Sequence, residues 1–182
     1  MMKKRASWKE TEKITGYQPV NYFEEQLVYA RNKNLQQLMQ VSPKQNPRME
    51  EISRFGGVQF LDDSPSHDIN ALFYALENIQ HPVLWITGGA DDEVNYASLL
   101  PLVIEKVKAV ICIGEDNLRL KQIFGSYVDI YECRQMEHAV KTAYYSADSG
   151  DVVLLSSACE CDGLYANRQQ RSRQFRAAVQ EL

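Results

Sequence analysis

The sequence predicts a three-layer α/β domain on a mostly parallel sheet of five or six strands. Two observations lead there. Short, β-branched apolar runs recur at Val58 to Leu61, Val83 to Thr87, Ala109 to Ile113, Val128 to Tyr131 and Val152 to Leu155. Continuous apolar runs of this kind suit strands covered on both faces. Helical stretches separate them, and strands alternating with helices imply parallel pairing through crossovers.

In chain order, residues 1–45 read as an amino-terminal helical extension. Tyr22, Phe23, Leu27, Tyr29, Ala30, Leu35, Leu38 and Met39 keep a rough helical spacing, and Asn21 is a candidate N-cap. Ser42-Pro43-Lys44-Gln45-Asn46-Pro47 breaks the pattern, which places a domain boundary there and leaves residues 46–182 as the second domain. Within it, helices are expected over Ile69 to Ile79, Tyr96 to Val107, Asp116 to Phe124, Met136 to Ala147 and Ala166 to Glu181. The last carries Arg168, Arg171, Arg173 and Arg176 opposite an apolar face that includes Phe175, Ala178 and Val179. Those arginines read as a solvated stripe near a helix carboxyl end. A partner-facing basic surface is the other reading.

A chain of 182 residues, 45% hydrophobic and 24% charged, has room for a buried core. The net charge of −4 and the lack of a long basic block speak against nucleic acid as partner. No apolar run approaches the ~20 residues that span a bilayer, and no apolar segment follows Lys3-Lys4-Arg5 to make a signal peptide. Cys112, Cys133, Cys159 and Cys161 lack CxxC spacing, so reduced thiols in the cytoplasm are expected, with no metal site.

Neither G-x-G-x-x-G nor G-x-x-x-x-G-K-[ST] occurs, which argues against a standard dinucleotide enzyme and a self-contained P-loop ATPase. In parallel sheets, ligands bind at the carboxyl ends of strands. Three loops begin there: Asp62-Asp63-Ser64-Pro65-Ser66-His67-Asp68, Gly88-Gly89-Ala90-Asp91-Asp92, and Ser156-Ser157-Ala158-Cys159-Glu160-Cys161-Asp162. The aspartates read first as helix-capping acids at the sheet edge; a divalent-cation cluster or a split acid/base pair is the other reading. His67 reads as a turn histidine, since no nucleophile elbow accompanies it, and no catalytic residue is assigned.

The order and spacing of these loops, with Pro47-Arg48-Met49-Glu50 before them and Arg171-Ser172-Arg173-Gln174-Phe175 after, resemble the carboxy-terminal domain of the Mur ligases, the D-glutamate-adding branch above all. The resemblance covers about residues 46–182 and implies a Rossmann-like sandwich. In that family the domain closes over a central ATPase domain and supplies the D-glutamate pocket and nucleotide contacts. By resemblance, Arg48 and Asp63 are nucleotide-binding positions, with Asp63 alternatively capping the turn from Ser64 to Asn70. The substrate-pocket positions are Ser64, Pro65, His67, Asp92, Cys161, Asp162 and Arg168. Pro65 and Asp92 stand where the family has lysines, His67 where it has threonine, Cys161 where it has serine, and Arg168 where it has an aromatic. Holding an acidic amino acid calls for cationic and hydroxyl donors; proline donates nothing and aspartate repels. The expectation is a stand-alone, catalytically inactive relative without a cofactor, acting as a binding or scaffolding module through a protein partner or self-association. The alternative is a ligase component that uses ATP and Mg with a separate ATPase domain.

Overall fold

In the computed structural model of the chain, the described residues are 49–64, 69–88, 94–115, 117–157 and 164–182. The chain divides into two units at Ser42/Pro43, and the described residues all belong to the second. The helix expected within residues 1–45 lies outside the described residues.

The elements run β1 (Glu50–Phe55), β2 (Val58–Asp62), α1 (Ile69–Asn78), β3 (Val83–Gly88), a 3-10 turn (Tyr96–Leu99), α2 (Leu100–Lys106), β4 (Val107–Ile113), α3 (Leu118–Phe124), β5 (Asp129–Cys133), α4 (Met136–Ser146), β6 (Val152–Leu155) and α5 (Arg168–Gln180). They form a six-stranded sheet in the order β1-β2-β6-β3-β4-β5. Only β1 pairs antiparallel; every other neighbouring pair is parallel.

Alternation along the buried strands explains the layers. Every position of β3 is buried. Val83 and Trp85 pack toward α1, α2 and α3, while Leu84 and Ile86 pack toward α4 and α5. Each large apolar side chain taken from water in this way contributes about 1.5–3 kcal/mol. Trp85 Nε1 is deep in this core and donates to Ser156 O at 2.8 Å, so the indole body packs and its one polar atom is satisfied.

Three elements differ from the sequence expectation. β1 was not among the expected strands: it is largely exposed, polar at most positions, and held by a hairpin. Gly56 at φ 58° and Gly57 at φ 81° make that two-residue turn, a conformation that L side chains rarely adopt. β5 sits at the opposite edge and runs Asp129–Cys133 instead of Val128 to Tyr131, because an edge strand is fixed by its ladder with β4 more than by apolar content. The stretch from Tyr96 opens as a 3-10 turn, and Pro101 lies at the start of α2, where its missing N–H costs nothing. Lys106 at the end of α2 donates to Leu76 O, Glu77 O and Ile79 O at 3.0, 2.6 and 2.9 Å, closing the carboxyl end of α1.

Placing β6 between β2 and β3 sets the carboxyl ends of β2, β6, β3 and β4 side by side. The three loops singled out in the sequence leave from this edge.

Candidate functional site

The edge is built from consecutive polar residues that follow apolar strands. β2 ends in Asp62, 1% exposed, followed by Asp63, fully buried. Asp62 Oδ1 accepts the Ser64 N–H at 2.8 Å, an Asx turn that bends the chain off the sheet. Asp62 Oδ2 accepts the Ser172 hydroxyl and, at 3.4 Å, Arg176 Nη2. Arg176 also grips Glu50 through two bonds of 2.9 and 2.7 Å, tying β1, β2 and α5 together. The hydrogen bond and charge of Arg176 lower the Glu50 pKa, and Glu50 in turn raises that of Arg176.

Asp63 faces β6. Its N–H donates to Leu155 O at 2.8 Å, and its Oδ2 accepts the Ser156 hydroxyl at 2.8 Å. Ser156 is held on two further sides, by its N–H to Ile86 O at 3.1 Å and by the indole on its carbonyl. The bond to the Ser64 amide therefore comes from Asp62, while Asp63 joins two strands.

Next to these satisfied groups lies a row of unsatisfied ones. Among the described residues, the buried side-chain atoms without a hydrogen-bond partner are Ser64 Oγ, Thr87 Oγ1, Ser157 Oγ, Asn117 Oδ1, Arg171 Nε and Nη2, and Tyr74 Oη. All but Tyr74 Oη lie past or at the carboxyl ends of β2, β6, β3 and β4, or in the first turn of α5. Buried polar groups are normally paired, and each exception costs about 1–3 kcal/mol, so a concentration at one edge marks a place where a ligand or solvent completes the bonding.

Of the residues expected at the site, Asp63 and Ser64 lie at this edge, and Arg168, half-buried, opens α5. Arg48, Pro65, His67, Asp92, Cys161 and Asp162 lie outside the described residues. The expected arginine stripe needs correction. Arg171 is 3% exposed, Arg176 is bound to Glu50 and Asp62, and all four arginines precede the last turn of α5. The physical reason is periodicity: Arg171, Phe175, Ala178 and Val179 are spaced i, i+4, i+7 and i+8, and all four are buried, so the guanidinium sits on the apolar face. That spacing was the available signal for Arg171. For Asp62, Thr87 and Asn117 the only signal was a polar residue at a strand end.

The fold and this edge define an α/β domain of the kind that binds ligands at the carboxyl ends of parallel strands. Residues 47–159 match the family model described as Mur ligase, glutamate ligase domain, and the chain belongs to that family. It is 41% identical over 86% of its length to UDP-N-acetylmuramoylalanine--D-glutamate ligase of Christiangramia forsetii, covering 36% of that protein. The enzymes of the same name from Cytophaga hutchinsonii and Porphyromonas gingivalis are 39% and 36% identical over 74% and 84% of this chain, which covers 30% and 34% of them. The chain thus spans about a third of the length of the curated relatives it matches. A domain of a putative UDP-N-acetylmuramate:L-alanyl-gamma-D-glutamyl-medo-diaminopimelate ligase from Haemophilus ducreyi aligns with a TM-score of 0.49 and 12% identity, over 72% of this chain and 99% of that one. No helix among the described residues is long and apolar enough to cross a membrane.

Proposed function

We propose that this chain is a binding domain of the Mur ligase line that does not add D-glutamate, and that it works in the cytoplasm through a protein partner or self-association. The observation that carries this reading is Pro65 and Asp92 at positions where the family pattern has lysines. A carboxylate ligand that those lysines would hold in the family pattern loses two attractions and meets a repulsion. By the same resemblance, His67, Cys161 and Arg168 stand where the family pattern has other donors or pocket residues.

Calorimetry on the full chain with D-glutamate, ATP with Mg, and UDP-N-acetylmuramoyl-L-alanine tests it. No heat with D-glutamate is expected; binding at millimolar concentration or below overturns the proposal. A second reading, a ligase component, is favoured by the 41% identity to a D-glutamate ligase of which the chain covers 36%. ATP and Mg would then be its cofactors, with Arg48 and Asp63 toward the nucleotide. Heat from ATP and D-glutamate together selects that reading.

A further inference from the structure

On one side the sheet ends in β1, whose outer edge pairs with no strand among the described residues. Such an edge is a template for another strand, and proteins guard it with proline, lysine or a very short strand. β1 is six residues long, holds neither proline nor lysine, and is exposed at both ends. Its ladder with β2 sorts its side chains onto two faces. Glu51 and Arg54 stand opposite Leu61 and Gln59, whereas Glu50, Ser53 and Phe55 stand opposite Asp62, Phe60 and Val58. Strand residues two apart share a face, so Glu51 and Arg54 lie on one face and Glu50 and Phe55 on the other. The shift in the ladder between Glu51 and Ser53 brings residues three apart onto the same side. Within the chain Glu51 and Arg54 form a pair of 3.4 Å, and both side chains remain exposed. A pair of that kind holds its partners weakly.

This charge pattern is complementary to itself. When two copies of β1 run antiparallel about a two-fold axis between Ile52 and Ser53, Glu51 of each copy falls opposite Arg54 of the other, on the same face. One axis thus makes two opposite-charge pairs across the strands. Both copies carry the same bulge, so the positions still match on either side of the axis. On the other face, Phe55 falls opposite Glu50 of the second copy, which Arg176 of that copy holds through two bonds. Phe55 is 45% exposed and packs against Tyr144 with ring centroids 5.3 Å apart. Pairing therefore covers an aromatic side chain that the single chain leaves half in water. The other edge of the sheet offers no such match, because β5 carries Asp129 and Glu132 and no cation.

We propose that β1 is a self-association strand, through which two copies of the chain join their sheets into one. This assigns a surface to the self-association proposed above and rests on that part of the reading alone. The test is sedimentation equilibrium of the full chain from about 1 to about 300 µM, a range suited to a small interface. A concentration-dependent dimer that weakens with added salt is expected. Glu51→Arg and Arg54→Glu each set like charges opposite one another twice, and each weakens dimerisation at least about tenfold. Their melting temperatures stay near that of the wild type, because the pair within the chain is exposed. An equimolar mixture of the two variants recovers the dimer, since each presents the charge that the other lacks. Neither variant can form the pair within its own chain, so recovery on mixing reports the contact between copies. A wild type that stays monomeric over the whole range overturns the proposal, and leaves the D-glutamate reading to its own calorimetry. A dimer that both variants retain, or variants that stay monomeric when mixed, overturns it as well.

Discussion

Replacing Ser156 with alanine isolates one bond between the two strands at the site. The hydroxyl donates to Asp63 Oδ2 at 2.8 Å, with Ser156 1% exposed and Asp63 fully buried. The backbone bonds of Ser156 to Ile86 and Trp85 survive the change. A hydrogen bond to a buried charged group is worth about 1.5–3 kcal/mol. Asp63 keeps other interactions, so water need not be drawn in to solvate a bare carboxylate. The expected loss is therefore about 2 kcal/mol, a fall in Tm of roughly 4–8 °C for a chain of this size. Urea melts followed by far-UV circular dichroism measure it, within a double-mutant cycle with Asp63→Asn. The two changes should couple by about 1 kcal/mol or more. A loss under about 0.5 kcal/mol, or full additivity, refutes the claim that this bond joins β2 to β6.

Two further outcomes follow from side chains away from the site. Burial alone would lower the pKa of Lys108, but its bonds to Asp148 at 2.7 Å and Asp151 at 2.5 Å hold it above 10.5. Its contribution is thus complete below about 10.5 and fades as pH rises through the higher folded value, so the stability gap between wild type and Lys108→Met should hold steady up to about pH 10 and shrink above about pH 10.5; a gap that persists undiminished well above that pH contradicts this. Burial, followed by the charge of Glu132, pushes the Cys112 thiol up to about 12. In mass-spectrometric footprinting with iodoacetamide at neutral pH, Cys112 should label only in denaturant, and native labelling would contradict the packing described.

How far the fold could be read from the sequence depended on where each segment's information lay. β3 and β6 carry theirs locally, since burial on both faces makes the run apolar throughout β6 and as far as Ile86 in β3. β1 does not: Glu50, Glu51, Ser53 and Arg54 have no strand-like alternation, and only pairing with β2 makes them a strand. At the site, residue types at the loops were legible, including Pro65 and Asp92, because chemistry is written in identity. The pairing of Asp63 with Ser156 spans 93 residues and follows from strand order, which no local pattern encodes. Arg171 was misread for a different reason: charge was taken as evidence of exposure, although helical spacing put the residue among Phe175, Ala178 and Val179.

The location of β6 has a consequence for how the chain acquires its shape. β6, which follows the other five described strands in the chain, fills the middle of the sheet, bonded on one flank to β2 and on the other to β3. Until it emerges from the ribosome, the hairpin β1–β2 and the trio β3–β4–β5 are two half-sheets with apolar inner edges and no strand to join them. Such long-range closure is entropically slow, and the open edges invite pairing with other chains. A nascent chain stalled before Val152 should therefore behave as an aggregation-prone intermediate, whereas emergence of β6 lets the two half-sheets join.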